Sequence, residues 1–183
     1  MARNTVRQNK YKAKKTGSEG SGKINLNFLH DRRFHLAMGF FLMAFAVFLF
    51  ISFLSYFFTG KYDQSVVSAI GSEASKDLGL ESQNWLGLLG AWASNLFIFK
   101  WFGISAFLIP PLAFFSGLEI VTRRPLFSLW RFSQLSVFTL IWLTLFLGYL
   151  VYQSENFSEL QFLCGGIGYE IAIVLHSFIG WGT

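Results

Sequence analysis

Charge is scarce in this sequence: Asp, Glu, Lys and Arg make up 14 % of the chain, against 53 % hydrophobic residues and 23 phenylalanines. Soluble domains carry roughly 25 % charged residues, so a free globule of this composition would be left with apolar surface it could not cover. That excludes a soluble fold and leaves an integral membrane protein. Cysteine is nearly missing too. The lone Cys164 excludes an internal disulfide and a thiolate cage for a metal, and says nothing about compartment. Acids and histidines inside the apolar runs are too few to give paired carboxylates, a Ser-His-Asp set or metal-ligand spacing. No catalytic residue, cofactor site or metal site is therefore assigned.

What the chain has instead is long hydrophobic segments. Residues 84–121 are apolar almost throughout, and as one straight helix they would measure about 55 Å. A bilayer core is about 30 Å thick, so this segment has to break, and Lys100 with Gly103 marks the place. Before the break, Gly87, Gly90, Ala91 and Ser94 recur three or four apart as a small-residue stripe. Trp85, Leu88, Leu89, Trp92, Leu96 and Phe99 fill most of the remaining surface. After it, residues 102–117 carry no charge and include Pro110 and Pro111. Prolines are tolerated in membrane helices where neighbours satisfy the freed carbonyls. The reading is an interfacial helix that turns at Gly103 into a spanning one over 102–121.

Residues 1–33 are polar, basic and rich in Gly and Ser, the composition of a disordered tail. Residues 17–23 fit G-x-x-x-x-G-K, but Ile24 stands where a phosphate-binding loop needs Ser or Thr, and no strand precedes it. It reads as linker. His30, Asp31 and His35 read as a solvated helix start rather than metal ligands. The first span is 36–58, where Ser52 and Ser55 are expected to bond back to their own helix carbonyls. It is too long for a signal-peptide core and lacks a cleavage site, so it is an uncleaved anchor. A polar loop covers 59–83, with a short helix over 65–74. The third span is 132–152. Glu119 and Arg123, four apart, suit a helix-end ion pair. Lys100 reads as a snorkelling side chain at the interface, and His176 as a polar residue on an interfacial helix. The triplet Asn156, Phe157 and Ser158 matches a glycosylation sequon and is given no weight.

Residues 164–183 read as a second copy of the broken-helix start, opened by Gly165, Gly166 and Gly168, with Gly180 in the place of Gly103. Glu170 and His176 make a poor span, since an ionised carboxylate at mid-bilayer costs at least about 2.5 kcal/mol. The segment is expected to be an interfacial or incomplete fourth helix of a chain that stops short of its last crossing, or else a span with Glu170 near the outer surface. The fold class is thus an all-α integral membrane protein: a bundle of three to four transmembrane helices over 34–183, with broken and interfacial helices, behind a disordered basic tail.

Positive charge orients the bundle. Twelve of the fifteen Lys and Arg residues lie in the tail and in the connection holding Arg123, Arg124 and Arg131. The positive-inside rule puts both in the cytoplasm, with the acidic loops outside. Arg32, Arg33, Arg123, Arg124 and Arg131 are the residues expected to set topology and meet anionic lipid; contact of the tail with DNA phosphates is the weaker reading.

The order N-x-x-G-x-x-G-A at Asn84, Gly87, Gly90 and Ala91, followed by W-F-G-I-S-A-F-L-I-P-P from Trp101, resembles the N-terminal membrane region of the FtsK/SpoIIIE DNA translocases. C-G-G-I-G-Y-E from Cys164 is a second matching block. The resemblance runs from about residue 36 to the end. It implies a non-catalytic membrane-anchoring and assembly module of a DNA translocase acting in cell division and chromosome segregation. It places that module in the bacterial inner membrane, at the division septum. It further implies a homo-oligomer, a hexamer in the family, beside other division proteins, with helix-packing and assembly contact surfaces on Gly87, Gly90, Ala91, Gly103, Gly166 and Gly168. ATP, magnesium and DNA would belong to a motor absent from this chain. The alternatives are a small transporter or channel subunit, since glycine-broken helices mark transporter sites, and a lipid-binding membrane scaffold.

Overall fold

A computed structural model of the chain describes residues 31–69, 82–125, 128–154 and 157–179. Every element among them is helical. By length and composition, four stretches can cross a bilayer: Arg32–Ser68, Gly87–Thr122, Leu129–Ser154 and Glu159–Phe178. The basic tail up to residue 30, with the G-x-x-x-x-G-K stretch and His30, lies outside the described residues, as do Asn156 and Gly180.

Helix α1 is Arg32–Ser68. Asp31 caps it, its carboxylate accepting from the Arg33 amide at 3.1 Å. The helix exceeds the expected 36–58 at both ends. Residues 59–68, read as loop from their polarity, stay helical because Thr59, Asp63, Val66 and Val67 all fall on the buried face. The short helix expected over 65–74 is, for residues 65–68, the end of α1; residues 70–74 lie outside the described part.

The segment expected to break does so at Gly103. Helix α2 (Gly87–Ser94) runs into a π-helical stretch, Asn95–Phe102, then a 3-10 stretch, Gly103–Leu108, and then α3 (Ile109–Thr122). Gly103 has φ 64° and ψ −147°, a region essentially restricted to glycine. Pro110 and Pro111 sit at the start of α3, where the missing N–H leaves no bond unmade. The expected Glu119–Arg123 pairing is instead a backbone one: Arg123, left-handed at φ 53°, ends α3 and donates its N–H to the Glu119 carbonyl at 2.8 Å.

Helix α4 is Leu129–Ser154 and α5 is Phe157–Ile179, kinked at Gly165 with φ 69° and ψ 172°. The helix thus starts before residue 164, and Gly165 is its bend. Past that bend, Gly168 lies against Thr144 and Gly148, while Tyr169 and His176 both lie against Tyr152. From Gly168 to His176, α5 therefore runs in the same sense as α4, toward the end of the bundle remote from Arg131. Length would let α5 span, but these contacts hold its second half at that far end. Gly87 (φ 64°) and Gly165 (φ 69°) both have positive φ where α2 and the second half of α5 begin.

Helices α1 and α3 are antiparallel, because Gly39 near the start of α1 meets Gly117 and Val121 near the end of α3. They form one pair and α4 with α5 the other, joined chiefly through the π-helical and 3-10 stretches. Three glycine pairs set these approaches. A methyl added at Gly117 would lie 2.7 Å from the Gly39 carbonyl oxygen, and one at Gly148 would lie 2.2 Å from that of Gly168. At the breaks, a methyl on Gly103 would meet the Leu163 carbonyl oxygen at 2.2 Å, and one on Gly165 that of Trp101 at 2.2 Å. Around this joint pack Leu49, Phe53, Tyr56, Ala93, Ile98 and Ala106.

Alanine at Gly103 or Gly165 combines backbone strain of about 1–3 kcal/mol with overlap against the facing backbone. Gly87 has the same sign of φ but nothing within 4 Å, so Gly87→Ala carries strain alone. Thermal unfolding in detergent should show Gly103→Ala and Gly165→Ala losing at least about 2 kcal/mol more than Gly87→Ala. Equal losses would mean the two breaks are not in contact.

Candidate anchoring and assembly surfaces

The fold gathers the topology arginines. Arg32 and Arg33 open α1, Arg123 and Arg124 follow α3, and Arg131 lies in the first turn of α4; all five are exposed. Because α1 and α3 are antiparallel and the link to α4 is short, these residues share one end of the bundle. The helices between present apolar side chains outward, among them Phe41 at 63 % exposure, Phe138 at 66 % and Phe58 at 75 %. In water that surface would be costly; in lipid it is the ordinary exterior of a membrane helix.

At the opposite end lies a polar seam that sequence reading missed. Ser52, Ser55, Thr59 and Asp63 follow one another at helical spacing and are all buried. Ser52 and Ser55 do not turn back on their own helix, as expected, but hold the segment entering α2. Ser52 Oγ donates to the Gly90 carbonyl at 2.6 Å, and Ser55 Oγ accepts from the Trp85 amide at 3.0 Å. Asn84 closes the turn, its Oδ1 accepting from the Leu86 amide at 3.1 Å and its Nδ2 donating to the Ser52 carbonyl at 3.4 Å. Asp63, fully buried, accepts from Thr59 Oγ1 at 2.6 Å, the Gln83 amide at 2.9 Å and Ser82 Oγ at 3.2 Å. Three donors satisfy a carboxylate that burial would otherwise penalise heavily. The signal was present as S-x-x-S-x-x-x-T-x-x-x-D, but it straddles the apparent border between span and loop.

Three of the four stripe residues, Gly90, Ala91 and Ser94, lie inside the chain, while Gly87 faces open space. Ala91 and Ser94 are fully buried, and Ser94 Oγ donates to the Gly90 carbonyl at 2.8 Å. Gly90 packs on Asn84, Gly166 on the Lys100 carbonyl and Gly168 on α4. Gly39, Gly117 and Gly148, which no spacing singled out, have the same role. The break strands carbonyls, and hydroxyls reach them: Ser105 Oγ and Thr144 Oγ1 both donate to the Phe102 carbonyl, at 2.6 and 3.1 Å. Lys100, in the last turn of the π-helical stretch, is exposed and favourably placed against the negative end of that helix. His35 Nδ1 sits 3.0 Å from the Asp31 carbonyl, and among the described residues no group of His, Cys, Asp and Glu is placed to hold a metal.

Concavities among the described residues include two on the outer surface. One, of about 320 Å³, is apolar and lies between α1 and α3 beside Phe50, Phe107, Pro110 and Phe114. The other, of about 490 Å³, lies between the far end of α1 and the start of α5.

An all-helical chain with an apolar exterior, basic at one end and latched by polar groups at the other, defines a polytopic membrane domain. The family model for the 4TM region of DNA translocase FtsK/SpoIIIE matches residues 31–182, and the chain belongs to that family. No curated protein and no solved structure matches it.

Asp63→Ala removes the acceptor for one buried donor, Thr59 Oγ1, and two part-buried ones, Ser82 Oγ and the Gln83 amide, at a cost on the order of 1–3 kcal/mol for a buried group left unmade. Thermal unfolding should show a loss of at least about 2 kcal/mol, with faster protease cleavage between residues 69 and 82, whereas Asp63→Asn, which keeps an accepting oxygen, loses less than half as much.

Proposed function

We propose that this chain is the membrane-anchoring and assembly module of a DNA translocase that acts in cell division and chromosome segregation, and that it is not itself an enzyme. Membership of the 4TM family carries the reading. The shared end of Arg32, Arg33, Arg123, Arg124 and Arg131 supports an orientation with that end and the N-terminus in the cytoplasm, in the bacterial inner membrane. The module works as a homo-oligomer, a hexamer by resemblance, at the septum beside other division proteins. DNA, ATP and magnesium are handled by a motor outside this chain.

Assembly through Gly90, Ala91 and Ser94 is not part of the proposal, because these residues are spent on packing within the chain. The exposed apolar faces of α1 and α4, with Phe41 and Phe58 on one and Leu135 and Phe138 on the other, are left for neighbouring copies. A transporter reading fits the geometry less well. Where the broken helices meet, Gly103 and Gly165 bring backbone against backbone, which leaves no space for a substrate at the joint.

Alkaline phosphatase fused after residue 127 should be inactive, and fused after residue 70 active. The reverse would overturn the orientation. A fluorescent protein fused to the N-terminus, on the side placed in the cytoplasm, should collect at midcell during division. A uniform envelope signal would remove the division role while leaving the anchor in place.

A further inference from the structure

The cleft of about 490 Å³ between α1 and α5 combines features that the anchoring role does not use. One wall is α1, with Tyr56, Phe57, Phe58, Lys61 and Gln64; the other holds Phe99, Glu159 and Gln161. The apolar run of α1 ends at Phe58 and Lys61 follows one helical turn later, so the cleft passes from hydrocarbon depth into headgroup depth. Phe58 is 75 % exposed and Phe57 45 %, which opens the lower part of the cleft directly to the surrounding chains of lipid. The upper part carries one cation and one anion on different elements, and two side-chain amides. Gln64 Nε2 donates to the Tyr56 hydroxyl at 2.9 Å and Gln161 Nε2 to the Phe99 carbonyl at 3.5 Å, which leaves each amide a second N–H and its oxygen.

We infer that this cleft binds phosphatidylethanolamine, a phospholipid whose headgroup carries a phosphate and a primary ammonium and no further charge. Lys61 meets the phosphate, Glu159 accepts from the ammonium, Gln64 and Gln161 supply amide hydrogen bonds, and Phe57 and Phe58 flank an acyl chain. Charge complementarity selects this ligand class. An anionic headgroup such as phosphatidylglycerol satisfies Lys61 and is repelled by Glu159, and a choline headgroup offers Glu159 no N–H to accept from. The inference is independent of which face of the membrane the cleft occupies and of any role in division.

The test adds defined lipids to the purified 183-residue protein in detergent. Thermal unfolding is followed by tryptophan fluorescence, and retained lipid is counted by native mass spectrometry. Phosphatidylethanolamine should raise the unfolding temperature several degrees more than phosphatidylcholine or phosphatidylglycerol, with one molecule retained per chain. Lys61→Ala and Glu159→Gln alter exposed side chains and should fold as the parent does without lipid. Each should lose at least fivefold in retained phosphatidylethanolamine, and Glu159→Gln should abolish its preference over phosphatidylglycerol. Equal stabilisation by all three lipids, or variants that retain phosphatidylethanolamine as the parent does, would overturn the assignment. So would indifference to every lipid, the result expected if the cleft receives a protein segment or a second copy.

Discussion

The structure depends on one constraint: inside a bilayer no backbone carbonyl or amide can be left for water to satisfy. A chain that breaks its helices at membrane depth must find partners for the groups each break releases. Here the two breaks are brought together. Gly103 lies against the Leu163 carbonyl and Gly165 against that of Trp101, while Ser105 and Thr144 give their hydroxyls to Phe102. The close approach is possible because neither break carries a side chain, and the hydroxyls come from opposite helix pairs. The joint between those pairs is thus also what makes the breaks tolerable.

The second organising element is the polar seam on α1. A helix of 37 residues is about 55 Å long, more than a bilayer core requires, and its surplus at the far end is used for recognition within the chain. Asp63 receives the incoming strand of backbone, Ser55 and Ser52 lower it along α1, and Gly90 completes the descent. The arginine end has no such latch. There, among the described residues, the helices are held by the Gly39–Gly117 approach and by the Phe115–Phe132 ring contact between α3 and α4.

Much of this was legible in the residues, and what was not failed for physical reasons. The break at Gly103 follows from hydrocarbon thickness alone, and the arginine end follows from counting charge. The length of α1 was hidden because Lys61, Tyr62 and Gln64 advertise a loop while Thr59, Asp63 and Val66 maintain the buried face. Gly39, Gly117 and Gly148 stand alone in apolar runs, so no spacing announces them; their partners are on other helices. The direction of α5 past Gly165 was anticipated only as a repeat of α2, and its evidence is spatial: Tyr152 touches both Tyr169 and His176. Small residues were expected to be contact points, but sequence could not say whether a contact is internal, as it is for Ala91 and Ser94, or missing within the chain, as it is for Gly87.

The glycine joint also bears on how such a domain can behave mechanically. Switches in proteins commonly work by side chains jumping between two packings, and glycine has no side chain to jump. A weld of bare backbone loses no rotamer freedom when it forms and offers no second seat to move into. With no room for a Cβ on either side of the contact, any sliding of one helix pair past the other has first to part the two backbones.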